Sequence, residues 1–534
     1  MTSPASAAAR AAPAARAIAA VPRPGLPAAL AAVAAACGGL LTWLSFPGAG
    51  HWWLAPLGVA FAVLALRGRT ARAGWWLGCL YGFAFLLPHL SWTGVYVGWF
   101  PWTALVVSQT VFYGVGGALV ARVQRHSLPL RVLGTAGVWV AVEAARARVP
   151  FGGFGWGRLA FSQADAPTLG LAALGGAPVV TFVVVAAGCL LAEAAWSAVR
   201  SPLRAAAGAS TALVLLLVGL AVPRPTAAED GVLRVAGIQG NVPRAGLEFN
   251  AERRAVLDNH VAATEHLAAR VAAGDAPAPD LVVWPENASD IDPLRNADAH
   301  QVIDEAVAAV HAPVLVGTLL SDDAGALRNT TIVWNPGTGP GQRYVKRHPV
   351  PFAEYVPYRA FFRAITSQVD LVRADMVGGD RVGVLDVAGT RVGDLICFEV
   401  VDDGLVRDTV RAGARLVVVQ TNNATFGYTD ESVQQLAMSR LRAVEQGRAV
   451  AHVSTVGVSA LIMPDGSVVS SSGLFTRDVL EADLPLRSTQ TLATRVGAWP
   501  ELVLALGGVL VALVPARSAR RRPGAADRRG TGRA

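Results

Sequence analysis

Lysine is almost missing: Lys346 is the only one in 534 residues, and every other of the 46 basic side chains is arginine. Cysteine is scarce too, four residues without paired spacing, which argues against a disulfide framework or a zinc site. Charged residues reach only 16%, and mean hydropathy is +0.42. With 14 tryptophans, this composition points to a membrane protein rather than a soluble one. A formal charge of +8 suits nucleic acid in principle, but the arginines lie between apolar runs and at the C-terminus. Membrane topology explains that placement better, and no nucleic-acid partner is expected.

Apolar runs long enough, or nearly so, to cross the hydrocarbon of a bilayer as helices fall near 25–46, 51–66, 73–97, 101–121, 131–149, 168–198 and 204–223. They predict a seven-span bundle over 25–223, with the sixth span open to a break at Gly175-Gly176-Ala177-Pro178. An eighth span is expected at 497–515. The first run resembles a signal peptide with Cys37 after its cleavage site, but it continues to Phe46, which favours a retained span. Arginines cluster at every second interval (Arg10/Arg16/Arg23, Arg67/Arg69/Arg72, Arg122/Arg125/Arg131, Arg200/Arg204), with Arg146, Arg148 and Arg158 as a mild exception. The positive-inside rule then places a disordered N-terminus (1–24) and an arginine-rich tail (516–534) in the cytoplasm.

From Val232 the texture changes to short β-rich runs alternating with helical segments, which predicts an α/β domain over 230–486 on the extracytoplasmic face. Strands are expected at Leu233–Gln239, Leu281–Pro285, Val314–Leu319, Thr330–Asn335, Val392–Ile396, Leu416–Thr421 and Val450–Ser454. Helices are expected near 251–273, 299–311 and 430–448.

Three residues of this domain have the means to do chemistry. Cys37, Cys79 and Cys189 lie in apolar runs, where a thiol is a small hydrophobe; Cys397 alone ends a strand in a polar context. Taken by itself, that stretch fits a core cysteine as well as a nucleophile. Glu286 follows the strand ending Trp284-Pro285, a place where a carboxyl can serve as a base or be an ordinary surface group. Lys346 opens a stiff, proline-rich loop. A lysine kept in a chain that otherwise uses arginine suggests a need for a compact ammonium, for example beside a developing oxyanion or a thiolate. No histidine is comparably placed, so a Cys–His protease reading is weak.

The motifs Trp284-Pro-Glu286, Lys346-Arg-His-Pro-Val-Pro-Phe-Ala-Glu354-Tyr-Val-Pro357 and Cys397-Phe398-Glu399 resemble those of the nitrilase superfamily. With the bundle before and the span after, the chain from about 25 to 515 is similar to the membrane-bound apolipoprotein N-acyltransferase family. The resemblance implies an αββα sandwich and a Glu286-Lys346-Cys397 triad, with Glu354 and Glu399 positioning the lysine and thiol. It further implies acyl transfer from a phospholipid, through a cysteine thioester, to the amine of a diacylated apolipoprotein, in the bacterial inner membrane. No metal or organic cofactor is implied, and a monomer is expected. Trp156 in the loop Phe151-Gly-Gly-Phe154-Gly-Trp156, together with Phe249, Phe361 and Phe362, is a candidate substrate contact; for Trp156, Phe361 and Phe362 interfacial anchoring is the alternative. Two departures stand out: Phe398 where the family often has tyrosine, and Phe249 near a position where it commonly has tryptophan. A membrane-anchored amidase that yields its acyl group to water, and a non-catalytic scaffold, are the rival readings.

Overall fold

The computed structural model describes residues 25–243, 252–323 and 325–516. The expected disordered N-terminus (1–24), Phe249 and the tail from 517 onward lie outside the described residues. In chain order, the first helices are α1 (Ala28–Leu44), α2 (Leu54–Leu66), α3 (Ala71–His89), α4 (Trp99–Val123), α5 (Leu128–Arg146), α6 (Ala172–Ser197) and α7 (Pro202–Leu217). Their positions coincide with the seven apolar runs. Among the described residues, four helical segments are long and apolar enough to cross a membrane: Trp99–Val123, Leu128–Arg146, Pro167–Ser197 and Pro202–Ala221. Ala28–Leu44, Leu54–Leu66 and Trp499–Leu513 are shorter apolar helices. The sixth helix is broken where expected, Gly176 taking φ 73° two residues before Pro178.

Glycines let these helices meet at backbone contact, as small residues do between membrane helices. A Cβ added at Gly508, in the final helix, would lie 2.2 Å from the Gly137 carbonyl carbon of α5. Val107 and Val111 on α4, and Leu213 and Val214 on α7, face outward and exposed, as lipid-facing side chains should.

The α/β domain contains β1 (Val232–Gln239), α8 (Arg253–Ala273), β2 (Leu281–Val283), α9 (Ala297–Val310), β3 (Val314–Ser321), β4 (Leu327–Asn335), β5 (Gly339–Val345) and α10 (Arg359–Ile365). It continues with β6 (Val384–Val387), β7 (Thr390–Ile396), α11 (Asp403–Arg411), β8 (Leu416–Thr421), α12 (Glu431–Gln446), β9 (Val450–Ser454), β10 (Ala460–Ile462), β11 (Val468–Ser471) and β12 (Asp478–Pro485). A short α13 (Leu492–Val496) precedes α14 (Trp499–Leu513). Two six-stranded sheets result, ordered β12-β1-β2-β3-β4-β5 and β11-β10-β9-β8-β7-β6. Each has a parallel centre, β1-β2-β3 or β7-β8-β9, with antiparallel strands outside it.

Period-2 alternation assigns the layers. Val235, Val283, Leu315 and Val333 point inward against Val392, Ile396, Leu416 and Val418 of the other sheet. Ala236, Val282 and Val316 point outward onto Leu257 of α8 and Ile303 and Val307 of α9. On the far side, Leu395, Val417 and Val419 cover Val406 of α11 and Met438 and Leu441 of α12. That last core also contains Phe161, Leu169 and Val180 from the bundle. The domain is therefore an αββα sandwich whose second helical layer is packed against the membrane helices.

Arg146, Arg148 and Arg158, the exception in the arginine pattern, each bond to protein groups. Buried Arg146 donates to Gln109 (3.0 Å), to the Tyr113 hydroxyl (3.2 Å) and to the Trp156 carbonyl (2.9 Å). Arg148 pairs with Glu501, and Arg158 with Asp403 at 2.7 Å. These arginines tie elements together, which is why they need not follow the rule for loops.

Candidate active site

Glu286 stands three residues beyond β2, Lys346 directly after β5 and Cys397 directly after β7. Strand ends at one edge of an α/β sheet are the usual place for chemistry, because side chains there converge without interrupting the ladder. The chain turns sharply at two of these points. Asn287 (φ 57°) and Cys397 itself (φ 55°) lie in the left-handed region, which costs a non-glycine residue about 1 kcal/mol or more.

Lys346 is 2% exposed. Its ammonium donates to Glu354 Oε1 at 2.9 Å and to Glu286 Oε1 at 3.3 Å. Asn329 Nδ2 donates to the same two oxygens, at 2.7 Å for Glu286 and 3.0 Å for Glu354. Glu354 also accepts the Val350 N–H at 2.6 Å, closing its own proline-rich loop. The backbone of Lys346 is fixed by its N–H to the Asn329 carbonyl at 2.9 Å.

Burial opposes charge on Lys346, yet Glu354 and Glu286 outweigh it and hold the amine well above its ordinary range, so it is an ammonium. Burial raises the Glu286 carboxyl, with the Glu354 charge adding to the rise and Lys346 opposing it. The Cys397 thiol is pushed up to about 12, chiefly by burial and next by the Glu286 charge, while Lys346 pulls it down. At rest the site holds a neutral thiol beside a carboxyl of enhanced basicity.

Glu399 does not touch the thiol. Its carboxylate instead accepts N–H groups from Ile396 (2.8 Å), Arg347 (2.7 Å) and His348 (3.3 Å), and the Tyr344 hydroxyl at 2.9 Å. It thus binds the nucleophile turn of one sheet to the lysine loop of the other. Thr421 lies 3.4 Å from Cys397 Sγ, and Gln435 Nε2 is 3.7 Å from it. Asn329, Tyr344, Thr421 and Gln435 were not legible as site residues. Asn329 sits among Arg328, Thr330 and Thr331 at the polar start of its strand, so the sequence offers no signal that singles it out.

Phe398 stacks against Phe154 (5.7 Å between centroids, 28°) and Trp156 (5.9 Å, 14°). Trp156 is 1% exposed and donates to Gln434 Oε1 at 2.8 Å. It backs the nucleophile turn instead of facing lipid, a correction to the expected contact, because the glycines around it let the loop fold inward under the sandwich. Phe361 is exposed, while Phe362 packs on Phe352 and Phe151. Among the described residues, no three His, Cys, Asp or Glu side chains come together as a metal-ligand set.

An αββα sandwich with glutamate, lysine and cysteine at its strand ends defines the carbon–nitrogen hydrolase class, and the family described as "Carbon-nitrogen hydrolase" matches residues 234–494. The family "Apolipoprotein N-acyltransferase N-terminal domain" matches residues 38–190. The chain is 42% identical over 506 residues to an apolipoprotein N-acyltransferase of Mycolicibacterium smegmatis, covering 89% of this chain and 84% of that one. It is 31% identical over 501 residues to the Azotobacter vinelandii protein of that name, covering 89% and 93%. Among solved structures, Nit3 of Saccharomyces cerevisiae, a nitrilase-superfamily member, aligns at 18% identity over 51% of this chain and 97% of its own, with a TM-score of 0.36. The chain belongs to the apolipoprotein N-acyltransferase family, within the nitrilase superfamily.

Proposed function

We propose that this protein N-acylates bacterial lipoproteins by a two-step transfer through Cys397. The observation that carries the reading is the Glu286–Lys346–Cys397 cluster held directly against the membrane loop, with Phe398 stacked on Phe154 and Trp156. In the first step the Cys397 sulfur attacks an ester carbonyl of a phospholipid while its proton passes to Glu286. The tetrahedral oxyanion is stabilised by the Lys346 ammonium and the N–H of Phe398. Collapse expels the glycerol oxygen, which takes the proton from Glu286, leaving a thioester and a lysophospholipid. In the second step the α-amine of a diacylated lipoprotein attacks the thioester, Glu286 receives an amine proton, and the departing thiolate is reprotonated. A thiolate is both a good nucleophile and a good leaving group, as two such steps require.

The arginine pattern supports a bacterial inner-membrane location with the sandwich outside, seven spans over 25–223 before it and one at 497–515 after it. A single chain supplies every group named, so a monomer suffices. The test is mass spectrometry of purified protein incubated with phospholipid. An acyl adduct on Cys397 that a diacylated lipopeptide discharges supports the transferase. Discharge by water at the same rate, with no gain from the lipopeptide, favours an amidase.

A further inference from the structure

A cavity of about 600 Å³ lies between the sandwich and the bundle. That size suits a small ligand or the polar half of a lipid. Its floor is bare backbone at Gly152, Gly153, Gly175 and Gly176 on bundle ends, and its roof includes Arg347 and Pro349 of the lysine loop and Phe398 beside the nucleophile. The cavity thus connects the level at which helices leave the membrane with the residue next to Cys397.

The acidic side chains in its wall, Glu399 included, are held by protein donors, and the basic ones are paired with carboxylates, with one exception. Asp403 accepts from Arg158 and from Arg442, both at 2.7 Å. Glu501 pairs with Arg148, Glu445 with Arg442 at 2.5 Å, Asp402 with His348 at 3.4 Å, and Arg347 with Asp408 at 3.3 Å. Arg407, one turn into α11, has no such carboxylate. Its Nε is buried without a hydrogen-bond partner, as is that of Arg158, but unlike Arg158 its guanidinium makes no ion pair among the described residues. A buried donor left unpaired is costly, so one retained in a cavity wall points to an acceptor that arrives with a ligand.

We infer that Arg407 binds the phosphate of the acyl donor, seating a phosphodiester head group in this cavity while the adjoining ester reaches Cys397. A guanidinium fork matches two phosphate oxygens, and the pairing is strong away from bulk water. Phe151, Pro349, Pro351, Tyr355 and Met376 offer apolar surface to the glycerol and upper acyl carbons. The inference rests on the reading of Cys397 as acyl carrier.

The test uses the full-length protein in lipid nanodiscs as wild type, Arg407→Gln and Arg407→Lys. Acylation of Cys397 is followed by mass spectrometry with two donors: phosphatidylglycerol, and a long-chain p-nitrophenyl ester that has no phosphate. Arg407→Gln should raise KM for phosphatidylglycerol about tenfold or more, with kcat little changed and the phosphate-free ester unaffected. Arg407→Lys should recover much of the loss. An equal loss on both donors would assign Arg407 a structural role and overturn the inference, as would an unchanged KM. Glycerol 3-phosphate and inorganic phosphate distinguish the source. If they compete in the wild type while phosphatidylglycerol KM ignores Arg407→Gln, the site takes soluble phosphate and the lipid assignment is wrong. Failure of the wild type to form any Cys397 adduct would overturn the acyl-carrier reading and this inference with it. An adduct that forms regardless of Arg407 overturns this inference alone.

Discussion

Lys346 stands closer to Glu354, at 2.9 Å, than to Glu286, at 3.3 Å. The lysine's main counter-charge is thus the residue that does no proton transfer, which leaves Glu286 less neutralised and more basic. Replacing Glu354 by Gln should shift the lysine toward Glu286 and remove a charge that raises the Glu286 carboxyl. The acid limb of kcat/KM for thioester formation should move to lower pH, and kcat should fall by about 10²-fold. An unshifted acid limb would show that Glu286 is not the group titrating there.

Glu286→Gln should separate two properties of the thiol that usually move together. The Glu286 charge helps hold Cys397 at about 12, so its removal lowers that value. Iodoacetamide should then label Cys397 faster at pH 9 in the variant than in the wild type, while acyl transfer is lost. In the wild type, labelling should climb about tenfold per pH unit up to about pH 11, because the thiolate fraction does. Cys397→Ser should abolish conversion of diacylated to triacylated lipoprotein while the protein stays in the membrane.

Glu399→Gln should damage geometry rather than charge balance. The amide cannot accept at both positions, so at least one of the N–H groups of Ile396, Arg347 and His348, or the Tyr344 hydroxyl, loses its acceptor. A buried donor without a partner costs about 1–3 kcal/mol. Thermal unfolding of the solubilised protein should shift down by several degrees, with a parallel loss of thioester formation.

Arg158→Ala tests the joint between bundle and sandwich. Arg158 is 3% exposed, and Asp403 would retain only Arg442. Breaking one side of a buried charge network costs about 3–5 kcal/mol. Trypsin should cut the connections between bundle and sandwich faster in this variant, and activity should fall with it.

Glu286, Lys346 and Cys397 drew notice because each breaks a local pattern. Lys346 is alone among arginines, Cys397 alone among cysteines is outside an apolar run, and Glu286 ends a strand. Helices were legible from apolar length, even to the break at Gly175-Gly176. Strand β5 was not, because Gly339-Pro-Gly-Gln-Arg-Tyr-Val345 carries an edge strand's polar texture and no alternation. Asn329 and Gln435 were hidden because each has polar neighbours (Arg328 and Thr330; Gln434), and nothing in the sequence marks which amide turns toward the site. The direction in which Trp156 points depends on three flanking glycines, and one-dimensional information does not resolve it.

The last helix packs its Gly508 against Gly137 of α5, and at its start Glu501 meets Arg148, 353 residues earlier in the chain. The wall of the site is therefore incomplete until the final helix has been synthesised and inserted. A chain that ends after the sandwich would have Cys397 but would lack the Ala498 and Glu501 side of the cavity wall. The same logic bears on engineering, since excising residues 230–486 would strip α12 of the bundle side chains that cover it and yield an insoluble fragment instead of a smaller enzyme.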